Sequence, residues 1–313
     1  MPDNARLERF SALPMSHPDS SSSPDSDAVR PGSLFVVATP IGNMGDLSPR
    51  ARSVLAQVDR IAAEDTRNTA RLLEQLGLRK PLMAHHAHNE HQSAQGIVQC
   101  LAQGESVALV SDAGTPAVSD PGAVVVRAVA EAGYTVVPVP GASSVLTAVA
   151  ASGLVDGPFT FRGFLPAKGR ERTAQLQAWL ACEEPQVVFE APHRVMSLAD
   201  DLEALGLADR AVCAGREMTK QFETFYRGSI QEVIAQVRAD PNATRGEWVW
   251  VFAGGPPAGA AGEDSAAGLS DWLAPLLEQV PLKTAVSIAV KATGWPKNQV
   301  YELALSLKNS AEE

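Results

Sequence analysis

Two acidic residues stand side by side at Glu64-Asp65, with Arg67 two positions on, at the end of an apolar run. Two acids and a base packed in this way can orient a substrate hydroxyl or accept its proton. Equally, Glu64-Asp65-Thr66-Arg67 can be a helix-capping group with its own ion pair. Asp112 heads Ala113-Gly114-Thr115-Pro116 and reads as a free carboxylate suited to a cationic or hydroxyl-bearing ligand. Two other loops share this character, Thr39–Asp46 and Pro140–Ser144, each setting glycine and proline beside hydroxyl or carboxylate groups. Glycine lets a backbone come close to a ligand, and proline fixes the shape of a loop. Any one of the three can be an ordinary turn. Together they point to a site for a medium-sized organic ligand. No glycine-rich phosphate cradle is present, neither G-x-x-x-x-G-K-[ST] nor G-x-G-x-x-G after the first strand, which disfavours a nucleoside triphosphate or a dinucleotide.

His86-Ala87-His88-Asn89-Glu90 has the look of a metal site but lacks a third ligand at a fixed spacing. RNA contact or a structural hydrogen-bonding role suits His88 and Asn89 better. Arg162, Lys168, Arg170 and Arg172 outnumber Glu171 on or beside one loop, and Lys283, Lys291, Lys297 and Lys308 outnumber Glu302 near the C-terminus. Either set can be a solvated surface or a phosphate contact, since phosphates reward concentrated Lys and Arg.

The elements that must position these residues follow from periodicity. Leu34–Ala38, Ile61–Ala63, Pro81–Ala84, Val107–Val110 and Thr135–Val139 read as strands, each followed by a loop and a helix. Ser48-Pro49 and Asp120-Pro121 are read as N-cap and first helical residue, and Gly77 as a C-cap. This rhythm predicts a parallel α/β sheet, whose ligands sit where loops leave the carboxyl ends of the strands. From Gly153–Pro158 the pattern changes. Phe159–Phe164, Gln186–Glu190, Ala211–Ala214 and Phe222–Arg227 read as strands, Leu165–Arg172 as a basic loop and Thr173–Ala181 as a helix. Ser229 with Glu232 forms a capping box. Glu247–Ala253 is apolar enough for a central strand covered on both faces. The expected organisation is a disordered tail over residues 1–32, a parallel α/β domain over 33–153, an α+β domain over 154–254, a flexible Gly/Ala/Pro linker over 255–268 and a helix-turn-helix-like unit over 269–313.

Composition narrows the class. An apolar share of 45% suits a globular core, and no apolar run approaches a membrane span. Cys100, Cys182 and Cys213 form neither a metal pattern nor a disulfide framework, so a reducing, cytoplasmic setting is expected. A net charge of -10 does not suggest a general nucleic-acid coat, and any RNA contact would have to use local basic patches.

Thr39–Ala51 (TPIGNMGDLSPRA), Ala62–Leu73 (AAEDTRNTARLL), HAHNE, Leu109–Gly122 (LVSDAGTPAVSDPG) and Val137–Leu154 (VPVPGASSVLTAVAASGL) resemble the ribosomal RNA small subunit methyltransferase I branch of the tetrapyrrole methylase superfamily. The likeness continues through FRGFLPAKGRER, FEAPHR, GREMTKQFET, RGEWVWVFAG and the terminal Pro281–Leu305, in order, from about Leu34 to Leu307. Arg245 and Gly215 stand where the family more often has lysine and alanine. The resemblance implies two α/β domains with the cofactor cleft between them plus a small C-terminal helical unit. It implies a homodimer that uses S-adenosyl-L-methionine to methylate the ribose 2′-oxygen of a cytidine in 16S ribosomal RNA, within the 30S subunit. Carried over residue by residue, the cofactor would meet Thr39, Pro40, Ile41, Gly42, Asp112, Ala113, Gly114, Thr115, Pro116, Val118, Ser119, Pro140, Gly141, Ala142 and Ser143, with Phe164, Leu165, Glu247 and Trp248 from the second domain. The resemblance does not fix the base; on the chemistry of the residues themselves, Glu64 or Asp65 would take or orient the hydroxyl proton, Arg67 would steer a phosphate, and Lys168, Arg170 and Arg172 would grip the RNA, as could His88, Asn89, Lys283 and Lys297. A methylase for a small tetrapyrrole-like substrate and a non-catalytic RNA-binding protein remain the alternatives.

Overall fold

The computed structural model describes residues 28–86, 88–255, 266–293 and 296–310. The tail, most of the linker and the glycine turn at Gly294-Trp295 lie outside them. The chain forms two compact units, one running to Ala38 and resuming over Ser48–Pro140, the other holding Thr39–Leu47 and everything from Gly141.

The first unit contains β1 (Ser33–Val37), α1 (Pro49–Gln57), β2 (Arg60–Ala63), α2 (Thr66–Gln75), β3 (Leu82–Ala84), α3 (Glu90–Ala102), β4 (Val107–Val110), α4 (Ala123–Glu131) and β5 (Thr135–Val139). The strands form one parallel sheet in the order β3-β2-β4-β1-β5. Every residue of β4 is buried, as a strand covered on both faces must be. From β1 the chain crosses to β2, and from neighbouring β4 it crosses the opposite way to β5. This reversal is a topological switch point, the place where open α/β sheets hold ligands. Ser48 caps α1 as expected, accepting from the Ala51 N–H.

The second unit contains α5 (Ser144–Ser152), β6 (Thr160–Phe164), α6 (Arg170–Leu180), β7 (Gln186–Glu190), α7 (Val195–Ala204), β8 (Ala211–Arg216), β9 (Thr224–Ser229), α8 (Ile230–Ala239) and β10 (Trp248–Phe252). Its sheet runs β6-β7-β10-β8-β9, with β6 and β7 parallel and the other pairs antiparallel. Ser229 and Glu232 make the full capping box. β10 lies at the centre with two covered faces. Trp248, Trp250 and Phe252 pack with Leu198, Leu202, Val233 and Val237 of α7 and α8, while Val249 and Val251 pack with Val145 and Ala148 of α5. That second contact is why the division falls after Pro140 and not at 153–154. α6 begins at Arg170, three residues before the expected start, because Gly169 at φ +93 turns the chain directly into it.

The C-terminal helices α9 (Ala266–Gln279), α10 (Leu282–Thr293) and α11 (Lys297–Ser310) share their own apolar cluster, Leu269, Leu273, Ala285, Val286, Ala289, Val300 and Ala304. Among the described residues, no helix is long and apolar enough to cross a membrane.

Candidate active site

Parallel pairing of β2 with β4 brings Glu64-Asp65 and Asp112 to one edge of the first sheet. There the two loops hydrogen-bond reciprocally. The Asp65 N–H donates to Asp112 Oδ1 (3.1 Å), and the Asp112 N–H donates to Glu64 Oε2 (3.3 Å). Asn68 Nδ2 donates to Asp112 Oδ2 at 2.8 Å. Asp112 is therefore not the free carboxylate its position suggested, since both oxygens are engaged in joining the loops. Asp65 is the N-cap of α2, accepting from the Arg67 N–H (2.8 Å) and pairing with Arg67 Nη2 (2.7 Å). The Arg67 pair and the cap hold Asp65 at about 2, far from the range of a useful base. Glu64 differs. Burial, with the negative charges of Asp112 and Asp65, pushes its carboxyl above the ordinary value against the opposing Asp112 N–H. A carboxyl raised in this way at a strand tip is the better proton acceptor of the two. Arg67 is exposed, and its side chain reaches back to Asp65.

The loop after β4 departs from the expected cap. α4 starts at Ala123 with Gly122 (φ +145) as N-cap, so neither Asp120 nor Pro121 opens the helix. A Cβ at Gly122 would press on Leu109 and on Ala117, which leaves glycine as the residue that closes this turn. The Gly122 N–H donates to Glu90 Oε1 at 3.0 Å. Ala117 and Ser119 both hold left-handed backbone (φ +66 and +69), a strain that ordinary loops avoid. Asp120 instead turns toward the acidic edge. Burial first, and the negative charges of Glu64 and Asp112, raise its carboxyl to about 6, although the Ser111 hydroxyl pulls the other way. A raised folded-state pKa means that the fold favours the neutral acid. Stability is then full below the ordinary value of 3.8 and falls as pH climbs toward about 6. Asp120→Asn is accordingly expected to melt a few degrees above the parent at pH 8 and together with it at pH 4. Thermal scans at the two pH values check this, and an equal shift at both would refute it.

In the second unit, Thr39 and Ile41 are buried and Gly42 is exposed. A Cβ at Gly42 would collide with Lys220 Cγ. Lys220 is itself held by Glu217 Oε1 (2.8 Å) and Glu247 Oε2 (3.0 Å), so Glu247 braces a lysine lying along Gly42. The run Arg216–Lys220 reads in sequence as a salt-bridged turn, and nothing in its spacing links Lys220 to Gly42. Ser143 caps α5 at the Leu146 N–H (3.4 Å), with Pro140 and Gly141 exposed before it. Phe164 is 54% exposed, but Leu165 is buried. The Trp248 ring is buried as well, stacked between Tyr226 and Trp250 with its Nε1 donating to the Ala243 carbonyl (3.0 Å). The Trp248 indole is thus committed to the core, where an apolar ring in the central strand is worth more than in water, which leaves the backbone as the part of Trp248 that could meet a ligand.

Of the expected RNA contacts, Lys168, Arg170, His88, Lys283 and Lys297 are exposed. Asn89 uses its side chain in its own turn, accepting from the His86 N–H (2.8 Å) and donating to the Ala84 carbonyl (3.2 Å). Arg172 leaves the set. It is 2% exposed and paired with Glu190 (2.8 Å) and Asp201 (2.6 Å).

Over residues 33–234 the chain matches the family model described as Tetrapyrrole (Corrin/Porphyrin) Methylases, and over 263–308 the model described as RsmI C-terminal HTH domain. Among curated proteins it is 44% identical to a ribosomal RNA small subunit methyltransferase I of Neisseria meningitidis serogroup B, covering 91% of this chain and 97% of that one. It is 46% identical to the protein of the same name from Pseudomonas aeruginosa, covering 88% and 97%. Among solved structures it shares the fold of uroporphyrin-III C-methyl transferase from Thermus thermophilus complexed with S-adenyl homocysteine. The TM-score there is 0.50 and the identity 18%, over 71% of this chain and 97% of that one.

Proposed function

This chain belongs to the tetrapyrrole methylase family, and from that premise we propose that it is an S-adenosylmethionine-dependent methyltransferase of small-subunit ribosomal RNA, acting on the ribose 2′-oxygen of a cytidine. The observation that carries the reading is the 44–46% identity, over nearly the whole length, to proteins named as methyltransferases of small-subunit ribosomal RNA. The first-unit site is in keeping with it. A half-buried Glu64 with a raised carboxyl suits a hydroxyl that must lose its proton as it attacks. The strained backbone at Ala117 and Ser119 is of the kind kept where a loop must fit a ligand.

The donors fit S-adenosylmethionine, whose purine, ribose and amino-acid ends are read by backbone groups and hydroxyls, with no triphosphate cradle required. Ala113, Gly114, Thr115, Pro116, Val118 and Ser119 would hold it, as would Thr39, Pro40, Ile41, Gly42, Pro140, Gly141, Ala142, Ser143 and Phe164. When bound, it supplies an electrophilic methyl group on a sulfonium. The chain's own work is to hold the ribose hydroxyl, accept its proton on Glu64 and keep phosphates in register, and such positioning alone accounts for a large part of a rate enhancement. We place this work in the cytoplasm, on the 30S subunit, by a homodimer.

Labelled methyl groups offered with undermethylated 30S subunits, with naked 16S RNA or with a tetrapyrrole test the reading. Transfer to 30S subunits, leaving one cytidine resistant to alkaline cleavage, is expected. Transfer to the tetrapyrrole alone would overturn it. Lys168→Ala and Arg170→Ala are each expected to weaken RNA binding and to lower the salt-dependence slope by roughly one unit, measured in a salt titration. Equal slopes for the variants and the parent would remove those two residues from the interface.

A further inference from the structure

Glu190 ends strand β7, after the apolar run Val187-Val188-Phe189, and is 1% exposed. Its carboxylate draws in two arginines, Arg172 Nη2 at 2.8 Å on one oxygen and Arg194 Nε at 2.7 Å on the other, and it also accepts from the Ala191 N–H (2.8 Å). Asp201 takes Arg172 Nε at 2.6 Å, so two carboxylates balance two guanidiniums. A buried charge cluster of this kind is a weak source of stability, since desolvation offsets most of the attraction. What it does here is local. Each arginine turns a further nitrogen to the chain leaving β6. Arg194 Nη1 donates to the Leu165 carbonyl (3.2 Å), and Arg172 Nη1 donates to the Pro166 carbonyl (3.1 Å). Those two residues begin the short connection to α6 that carries exposed Lys168 and opens at Arg170. Just before it, the exposed Phe164 ring rests edge-on against Phe189 at 5.3 Å.

We propose that Glu190 is a positioning residue for the RNA contact: through Arg172 and Arg194 it fixes the carbonyls of Leu165 and Pro166, and with them the stance of Lys168. This rests on the reading of the chain as an RNA methyltransferase. Planar guanidiniums suit the task, because one face of the fork can meet a carboxylate while another nitrogen meets a carbonyl. Lysine at position 194 keeps the charge toward Glu190 but cannot span both partners. The expectation that Arg172 grips RNA directly is thereby replaced by an indirect role.

The test uses the full-length protein with Arg194→Lys and Glu190→Gln, the first serving if the second does not fold. Amide hydrogen exchange needs no activity. Residues 165–170 are expected to exchange roughly tenfold faster or more in either variant, with β7, β8 and β10 unchanged. With 30S subunits, KM is expected to rise while kcat at saturation stays near the parent value. Lys168→Ala is expected to add little in the Arg194→Lys background, a non-additive cycle that a merely structural role would not produce. Unchanged exchange over 165–170, or strictly additive KM effects, overturns the proposal. A parent protein inactive on 30S subunits defeats the functional reading instead, and the exchange result still judges the clamp.

Discussion

Glu64→Gln is expected to lower kcat for methyl transfer to 30S subunits by about 10²–10⁴, the range that removal of a positioned general base gives. The isostere keeps the side chain's size and one oxygen for the Asp112 N–H, so the contact between the two loops persists while the proton acceptor is lost. The parent's rate should climb with pH through a value above the ordinary glutamate range, because burial and two neighbouring carboxylates raise Glu64 and the reactive form is the ionised one. The variant's profile should lose that limb. Asp65→Asn is the internal contrast. Its carboxylate is bound to Arg67 and to the start of α2, so the change lowers thermal stability and leaves most of the rate. Single-turnover kinetics over pH 5–9 separates the two. A parent-like rate in a folded Glu64→Gln protein would sink the assignment.

Trp250→Ala is expected to cost about 3–5 kcal/mol of stability, as large aromatic truncations in a core do. Trp250 is fully buried on the central strand of the second sheet, stacked between Trp248 (5.8 Å) and Phe252 (6.0 Å). Alanine would open a cavity where α7 and α8 cover the sheet. Trp250→Phe should cost clearly less than Trp250→Ala, because the cavity it leaves is smaller. The smaller ring preserves the stack, and the indole Nε1 it removes meets no acceptor among the described residues. Urea unfolding of the two variants checks both expectations. Equal losses would mean that the packing of the ring counts for less than its bulk.

Both predictions concern features the linear chain displayed to different degrees. The parallel sheet was legible because each strand was short, apolar and closed by a loop. The buried central strand was legible because Glu247–Ala253 lacks the alternation of a half-exposed one. Glu64-Asp65 and Asp112 were legible as separate carboxylates at strand ends, yet their meeting at one edge was not. The capping of α2 by Asp65 with its Arg67 pair is local and was one of the two readings the sequence offered, whereas the tying of Asp112 to Glu64 and Asp65 depends on strand pairing between residues almost fifty positions apart. Arg172 shows the same limit from the other side. Its formal charge joined a basic patch in sequence, while its partners Glu190 and Asp201 lie on later elements that no local spacing brings into view. Asp120 failed as a cap for a local reason. Gly122 reaches a backbone angle closed to other residues, so the helix starts later than the Asp-Pro signal implies.

The segment Thr39–Leu47 follows β1 of the first unit in sequence but belongs to the second. During synthesis it leaves the ribosome early and must wait for the residues that receive it. Lys220, against which Gly42 lies, is made about 180 residues later, which at ~5–20 residues per second is a delay on the order of 10–40 s. The first sheet has all its strands well before then, so it can form with this stretch still unattached. The second unit cannot be completed by the chain from Gly141 alone. A fragment begun there would lack a piece of its own packing, and the two units are bound into one folding programme by nine residues that cross from one to the other.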